Sequence, residues 1–315
     1  MTTLITGTGL LGTSFAQQAI KRGERLVFFD AQPNRDFLRH KLGDADVGII
    51  QGDIRDLPAL VGAMKDNSVT TVVHTVGLIG GKVASPVYTG FQVNIQGTIN
   101  VAEAVRLTGV KRLVHMSTFG VYDRRQEGKI HFDEDFPRAS DSAYGASKVA
   151  KEMVLEAYQG IYGFELVMIR PANAFGFGHF AGGSSGGEKV QNLVIGGVRG
   201  ETAKIPNNQT MSFEYVYAKD AGVAIDRAAT VPLPPKIAFN IGNGEVLTFE
   251  ELVGSVKKAL PNLSVDILPG DPPSFNPKVP MDISLAKQHL GWAPTYDMEA
   301  AFRDYAADLK AAGLV

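Results

Sequence analysis

Short, continuously apolar runs alternate along this chain with longer stretches in which apolar residues recur every three or four positions. "TLITG" at 3–7, "RLVFF" at 25–29, "VGII" at 47–50, "TVVHTV" at 71–76, "RLVHMS" at 112–117 and "ELVMIR" at 165–170 form the series. Each run is too short for a helix and too uniformly apolar for a half-exposed strand, which predicts central strands of a parallel sheet buried on both faces. Strand and helix in alternation predict an α/β fold, a doubly wound parallel sheet. After about residue 170 the rhythm gives way to "NAFGFGHFAGGSSGGEK", which reads as a long loop. "PLPPK" at 232–236 reads as a turn, "IAFNIG" at 237–242 as a strand, and "TFEELVGSVKKAL" at 248–260 as a helix opened by a Thr248–Glu251 capping box. The expected organisation is a sheet domain over 1–170, with contributions from about 211–242, and a smaller C-terminal lobe from 171–210 and 243–315.

The first predicted strand runs directly into Gly7, Gly9 and Gly12, with Leu10 and Leu11 opening the helix behind them. A GxGxxG in this position serves a tight turn, close backbone approach to a pyrophosphate and close helix–strand packing, and the helix N-terminus offers free N–H groups to phosphate. The next strand ends in Asp30, at the separation expected of a carboxylate that accepts from the adenosine ribose hydroxyls and repels a 2′-phosphate. NAD is therefore expected over NADP, although Arg35 lies nearby.

In "SAYGASKVAKE" at 142–152, Tyr144 and Lys148 stand four apart on a predicted helix and so face the same way. Ala146, Val149, Ala150, Met153, Val154, Ala157, Tyr158 and Ile161 follow the amphipathic period and are expected to form the buried stripe, with the Tyr–Lys pair off it. A tyrosine titrates near pH 10, and a neighbouring ammonium plus an oxidised nicotinamide would favour its phenolate. The spacing alone is common by chance. Tyr215 and Lys219 share it, but the alternation of Phe213, Tyr215 and Tyr217 reads as a strand, where residues four apart are separated by about 13 Å.

Composition narrows the classes further. With 315 residues, 44% of them hydrophobic, the chain can bury a large core. A net charge of −2 and the lack of any long basic run argue against nucleic acid as partner. Without cysteine there are no disulfides, thiol nucleophiles or thiolate metal sites. The N-terminal stretch lacks both the basic flank of a signal peptide and the unbroken apolar length of a membrane span, so a cytoplasmic protein without membrane attachment is expected. The histidines share no metal-ligand spacing, and no metal is expected.

Together these segments resemble the extended short-chain dehydrogenase/reductase superfamily, and within it the NAD-dependent epimerase/dehydratase family, over nearly the whole length. "GDIRD" at 52–56 resembles the adenine-contacting turn, with Asp53 and Ile54 in contact. "HTVG" at 74–77 resembles the segment beside the cofactor, here His74, Thr75 and Val76. "VNIQGT" at 93–98 resembles the helix carrying the family's Asn, here Asn94. "MSTFGVYD" at 116–123 makes Thr118 the catalytic hydroxyl, and Tyr144 and Lys148 become the YxxxK pair. "IRPANAFGFG" at 169–178 places Pro171 at the nicotinamide amide and Asn173 at the substrate; His179 is a further candidate for substrate contact. The resemblance implies a Rossmann-type domain with a substrate-binding lobe, Thr118 bonding the substrate oxygen, Tyr144 as base, and Lys148 binding the nicotinamide ribose. It also implies a homodimer built on the helices of "VNIQGTINVAEAVRL" and "AYGASKVAKEMVLEAYQ".

The chain departs from the family pattern in three places. Gly7 and Gly9 have only Thr8 between them, which makes the turn tighter. Phe119 and Gly120 replace the acidic residues of dehydratases, disfavouring dehydration. Phe213 stands where nucleotide-sugar members carry a diphosphate-binding arginine, which favours a free sugar, a sugar acid or another small hydroxy compound. The expected chemistry is hydride transfer at a secondary alcohol or ketone, either transient (epimerase) or net (dehydrogenase). The alternative is a non-catalytic dinucleotide-binding sensor or scaffold on the same fold.

Overall fold

The computed structural model describes residues 1–123, 125, 131–179, 184–273 and 279–315. Seven parallel strands make the central sheet: β1 (Thr2–Thr6), β2 (Arg25–Asp30), β3 (Gly48–Gln51), β4 (Thr71–His74), β5 (Arg112–Met116), β6 (Glu165–Pro171) and, numbered in chain order, β10 (Ala238–Ile241). Their order across the sheet is β10-β6-β5-β4-β1-β2-β3. The chain thus winds outward from β1 in one direction, returns, and winds outward in the other, leaving a crevice beyond the strand ends where the direction reverses.

The apolar runs form strands because both faces of the sheet are covered. Ile5, Phe28, Val73, Val114 and Val167 point to one core, where α1 (Leu10–Lys21) and α9 (Ala218–Thr230) contribute Phe15, Ala16, Ala221 and Ile225. Their neighbours Leu4, Val27, Val72, Leu113 and Leu166 point to the other. There α3 (Leu57–Asp66), α6 (Gly97–Thr108) and α7 (Ala143–Tyr162) supply Leu60, Val101, Val105 and Leu155. Period-two side-chain direction with both sides apolar yields continuous rather than alternating hydrophobicity. This half also carries α2 (Arg35–Leu42) and the short α4 (Gly81–Ala84) and α5 (Val87–Phe91).

A third core lies beyond the strand ends. It gathers α8 (Ser185–Arg199), α10 (Phe249–Ala259) and α11 (Met298–Ala311) around Phe175, Val190, Leu252, Val256 and Phe302. Two small parallel ladders join them: β7 (Asn173–Phe175) with β9 (Tyr215–Tyr217), and β8 (Thr202–Pro206) with β11 (Ser264–Leu268).

Two expectations change. The loop predicted after residue 170 contains β7 and the start of α8, and its residues 180–183 lie outside the described set. Gly186 and Gly187 of that stretch sit in the helix, which packs closely there: a Cβ on Gly186 would fall 2.7 Å from Asn173 Oδ1. The second change concerns α7. Its buried residues are Gly145, Ser147, Lys148, Lys151, Glu152 and Leu155, whereas Met153 and Ile161 of the expected buried stripe are 58% and 73% exposed. The polar face turns inward because Ser147, Lys148, Lys151 and Glu152 all find hydrogen-bond partners there, which removes most of the cost of burying it.

Candidate active site

A cleft of about 1310 Å³ runs over the C-terminal ends of the strands. At one end the glycine loop divides its roles as its spacing predicts. Gly7 has φ +94°, and a Cβ there would stand 2.8 Å from Thr75 Oγ1; a Cβ on Gly12 would meet the Gly7 carbonyl at 2.8 Å. Gly9 is the N-cap of α1 without a side-chain cap, so the first N–H groups of the helix remain open toward the cleft, which Gly7, Gly9, Leu10 and Leu11 line. Thr8, the single residue between the first two glycines, fixes the acidic residue at the end of β2. Its amide and hydroxyl both donate to Asp30 Oδ2, at 2.7 and 2.9 Å, while Gln32 N donates to Oδ1 at 2.9 Å.

Asp53 and Ile54 line the same end. The Arg55 guanidinium lies against both Asp53 oxygens and holds that carboxyl below the usual range. Thr75 and Val76 also line the cleft, but His74 and Asn94 lie one layer beneath it. The His74 ring bonds Thr6 Oγ1 at 2.7 Å and Thr98 Oγ1 at 3.0 Å. Asn94 grips both the amide and the carbonyl of Leu78, at 2.7 and 3.1 Å, and donates to Ser147 Oγ at 3.0 Å. Both residues are fully buried, and their reach to the cleft is through the backbone they hold.

At the middle of the cleft stand Thr118, just past the end of β5, and Tyr144 and Lys148, on the first two turns of α7. Ser142 caps that helix by accepting from Gly145 N at 3.0 Å, which sets where Tyr144 enters it. Thr118 Oγ1 accepts from Gly120 N at 3.1 Å, and its hydroxyl sits where it favours the charged form of the Tyr144 hydroxyl. Lys148 Nζ donates to the Met116 carbonyl at 3.0 Å and lies 5.8 Å from the Tyr144 ring centroid. Burial brings the Lys148 ammonium down to about 8. It also pushes the Tyr144 hydroxyl up, with Thr118 pulling the other way. Tyr215 and Lys219 show no such convergence: Tyr215 is in β9, while Lys219 begins α9 and pairs with Asp304 and Asp308.

The other end of the cleft is walled by Phe119 and Phe213, their ring centroids 6.4 Å apart, with Asn173, His179 and Pro171 alongside. Asn173 Nδ2 and His179 Nε2 are buried without a hydrogen-bond partner among the described residues, an arrangement suited to polar groups of a ligand. Behind Phe213, Lys189 is fully buried, its Nζ 5.1 Å from the ring centroid and donating to the Met211 carbonyl at 2.9 Å.

Sequence reasoning missed Lys189 and, more substantially, a buried polar network under α7. Glu152 accepts from Ser117 Oγ, from Arg170 at 2.7 and 3.0 Å, and from Arg138 at 2.8 Å. Arg170 continues to Tyr122, whose hydroxyl donates to Asn240 at 2.5 Å. Lys151 Nζ donates to the Val76 carbonyl at 3.0 Å. The signal was present, since Ser147, Lys148, Lys151 and Glu152 recur at the helical period; polar residues on one face ordinarily mean solvent. Among the described residues no group of three or more His, Asp or Glu stands together as metal ligands, and no helix is long and apolar enough to cross a membrane.

Comparison with known proteins matches this architecture. The chain is 29% identical over 307 residues to a UDP-glucose 4-epimerase of Mycolicibacterium smegmatis, covering 93% of this chain and 94% of the relative. It is 28% identical over 331 residues to a dTDP-glucose 4,6-dehydratase of Xanthomonas campestris, covering 95% and 90%. The solved Thermus thermophilus UDP-glucose 4-epimerase complex with NAD superimposes with a TM-score of 0.84 at 25% identity, over 98% of this chain and 99% of that one. A sequence model of one family covers residues 3–242, and the chain belongs to it: the NAD-dependent epimerase/dehydratase family.

Proposed function

We propose that this protein carries out NAD-dependent hydride transfer at a secondary alcohol of a sugar-like substrate, with Thr118, Tyr144 and Lys148 as its catalytic residues. The observation that carries the proposal is their convergence in one cleft with the glycine loop and Asp30. Bound NAD supplies the acceptor for the hydride that leaves the substrate carbon. Thr118 holds the substrate oxygen by its hydroxyl, and Tyr144 takes the hydroxyl proton as the carbon loses hydride, so a carbonyl forms while proton and hydride leave by separate routes. Burial raises the Tyr144 pKa in the protein itself; the positive charge of a bound oxidised nicotinamide would supply an opposing pull, and Lys148, whose Nζ donates to the Met116 carbonyl, would hold the nicotinamide ribose. With NAD bound, hydride returned to the other face of the carbonyl would amount to epimerisation, and hydride retained by a departing cofactor to net oxidation.

Gly7, Gly9, Leu10, Leu11 and Gly12 are assigned to the pyrophosphate, Asp30 to the adenosine ribose, Asp53 and Ile54 to adenine, and Thr75, Val76 and Pro171 to the nicotinamide half. His74 and Asn94 act through the backbone they hold. Asn173 and His179 are assigned to the substrate. The apolar wall of Phe119 and Phe213 weighs toward a substrate without a diphosphate, although the relatives above are named for nucleotide sugars. Residues 1–170 with about 211–242 form the cofactor half in this reading, and the remainder the substrate half. The exposed stripe of Leu107, Met153, Ile161 and Tyr162 on α6 and α7 is assigned to pairing with a second copy in the cytoplasm.

Tyr144→Phe is the test. Turnover, followed as NADH absorbance or as epimer exchange over a panel of sugars, sugar acids and nucleotide sugars, should fall roughly 10²–10⁴-fold. Dinucleotide binding, read by native mass spectrometry, should persist. Full activity in this variant would remove Tyr144 as the base.

A further inference from the structure

Three donors converge on the carboxylate that ends β2, and two of them belong to the single residue between Gly7 and Gly9. Asp30 Oδ2 accepts from the Thr8 amide at 2.7 Å and from the Thr8 hydroxyl at 2.9 Å, while Oδ1 accepts from Gln32 N at 2.9 Å. An ionised carboxylate offers roughly four acceptor positions. Thr8 fills both of those on Oδ2, and the opening that remains is on Oδ1. Asp30 lines the cleft, whereas Thr8 is 4% exposed and stands behind it. The Thr8 hydroxyl also accepts from Asn34 N at 3.4 Å, and Asn34 caps α2 by accepting from Phe37 N at 3.0 Å. One buried hydroxyl thus ties together the glycine loop, the end of β2 and the start of α2. Arg35, the first residue of α2, is exposed, and the carboxylate beside it, Asp36, pairs with Arg39 instead. A cation at this place in the chain suits a 2′-phosphate, so exclusion of that group falls to Asp30.

We propose that Thr8 is a positioning residue for cofactor selection, whose hydroxyl locks Asp30 in the orientation that admits NAD and excludes NADP. The two dinucleotides differ only by the phosphate on the adenosine 2′-oxygen. NAD asks Asp30 for an acceptor, and Oδ1 provides one as it stands. NADP asks the carboxylate to turn away, and turning breaks the charge-assisted bonds from Thr8 and Gln32. Two of those bonds come from backbone amides and survive any side-chain substitution. The third comes from the Thr8 hydroxyl, so the side chain at this position sets how firmly the carboxylate is held. The inference rests on the assignment of this cleft to NAD, and its contribution appears in the ratio of two affinities rather than in either alone.

The test is calorimetric titration of the intact chain, freed of retained dinucleotide, with NAD⁺ and with NADP⁺. Wild type, T8S, T8V, D30N and the T8V/D30N double variant each give two Kd values. Wild type and T8S, which keep the hydroxyl, should favour NAD⁺. T8V keeps the side-chain shape and both amides, and should lower the NAD⁺ preference roughly tenfold, the low end for one hydrogen bond to a charged group. In the D30N background the same substitution should leave the ratio where D30N alone puts it, because Thr8 acts through Asp30. A T8V ratio equal to wild type overturns the proposal, and so does a T8S ratio that falls as far as that of T8V. A parallel loss of both affinities at constant ratio overturns it by leaving a structural prop alone. A further tenfold change in the D30N background overturns it by placing the effect on another group, and wild type without a preference for NAD⁺ leaves nothing for Thr8 to enforce. If T8V does not fold, T8A is read in its place. Wild type binding neither dinucleotide takes down the assignment of the cleft, and the proposal with it.

Discussion

Helices α10 and α7 each carry a clean amphipathic pattern, and they obey it in opposite senses. In α10 the apolar residues Phe249, Leu252 and Val256 are buried and the helix opens with the reciprocal Thr248–Glu251 cap, with Lys257 and Lys258 in its last turn. In α7 the apolar positions Met153 and Ile161 face outward while Ser147, Lys148, Lys151 and Glu152 are inside. One helix is held by transfer of hydrocarbon from water, the other by hydrogen bonds and ion pairs that must each be satisfied. A buried face made of charge is an expensive way to anchor a helix. It is retained where the groups on it are needed, and the Tyr144 side chain that faces the cleft emerges from the same helix.

This contrast can be broken in stages, beginning with the Tyr144→Phe variant, which should lose most activity with its fold intact. Next is Glu152→Ala, which strands Arg170 (2% exposed) without its carboxylate. Denaturant unfolding should show a loss of about 3–5 kcal/mol, accompanied by weaker dinucleotide binding because Ser117, which lines the cleft, loses its partner. Leu252→Ala in α10 removes a side chain only 1% exposed and should cost about 2–4 kcal/mol, with dinucleotide affinity unchanged. Equal effects of these two variants on affinity would erase the distinction between the helices. The smallest expected effect is that of Thr248→Ala, about 1 kcal/mol through the lost capping box, again read in the unfolding midpoint.

The strands were legible because nothing competes with the reading of a short apolar run covered on both faces. Gly7 and Gly12 were legible because backbone geometry leaves little choice of residue there: Gly7 has φ +94°, and a Cβ on Gly12 would meet the Gly7 carbonyl at 2.8 Å. The orientation of α7 was not, since hydrophobic periodicity identifies an apolar face without saying whether the sheet or another surface covers it. His74 and Asn94 look like cofactor contacts in sequence because they sit beside residues that line the cleft, yet their own polar atoms are consumed by Thr6, Thr98, Leu78 and Ser147. Lys151 and Glu152 went unnoticed for a related reason: charged residues are read as solvent-facing until a counter-surface is visible. Partners such as Arg170 and the Val76 carbonyl are distant in sequence and become neighbours only through the fold.

The placement of β10 at the edge of the sheet bears on how the protein is made. Residues 238–241 pair with 168–171, so β6 is synthesised roughly 70 residues before its outer neighbour. At about 5–20 residues per second that is some 4–14 s during which a nascent sheet presents an open edge. During that interval Asn240, which accepts from Tyr122 and donates to the Phe132 and Asp282 carbonyls, is also missing. The last strand acts as a latch closed late in translation, and chains stalled before it would expose a strand edge ready to pair with one another.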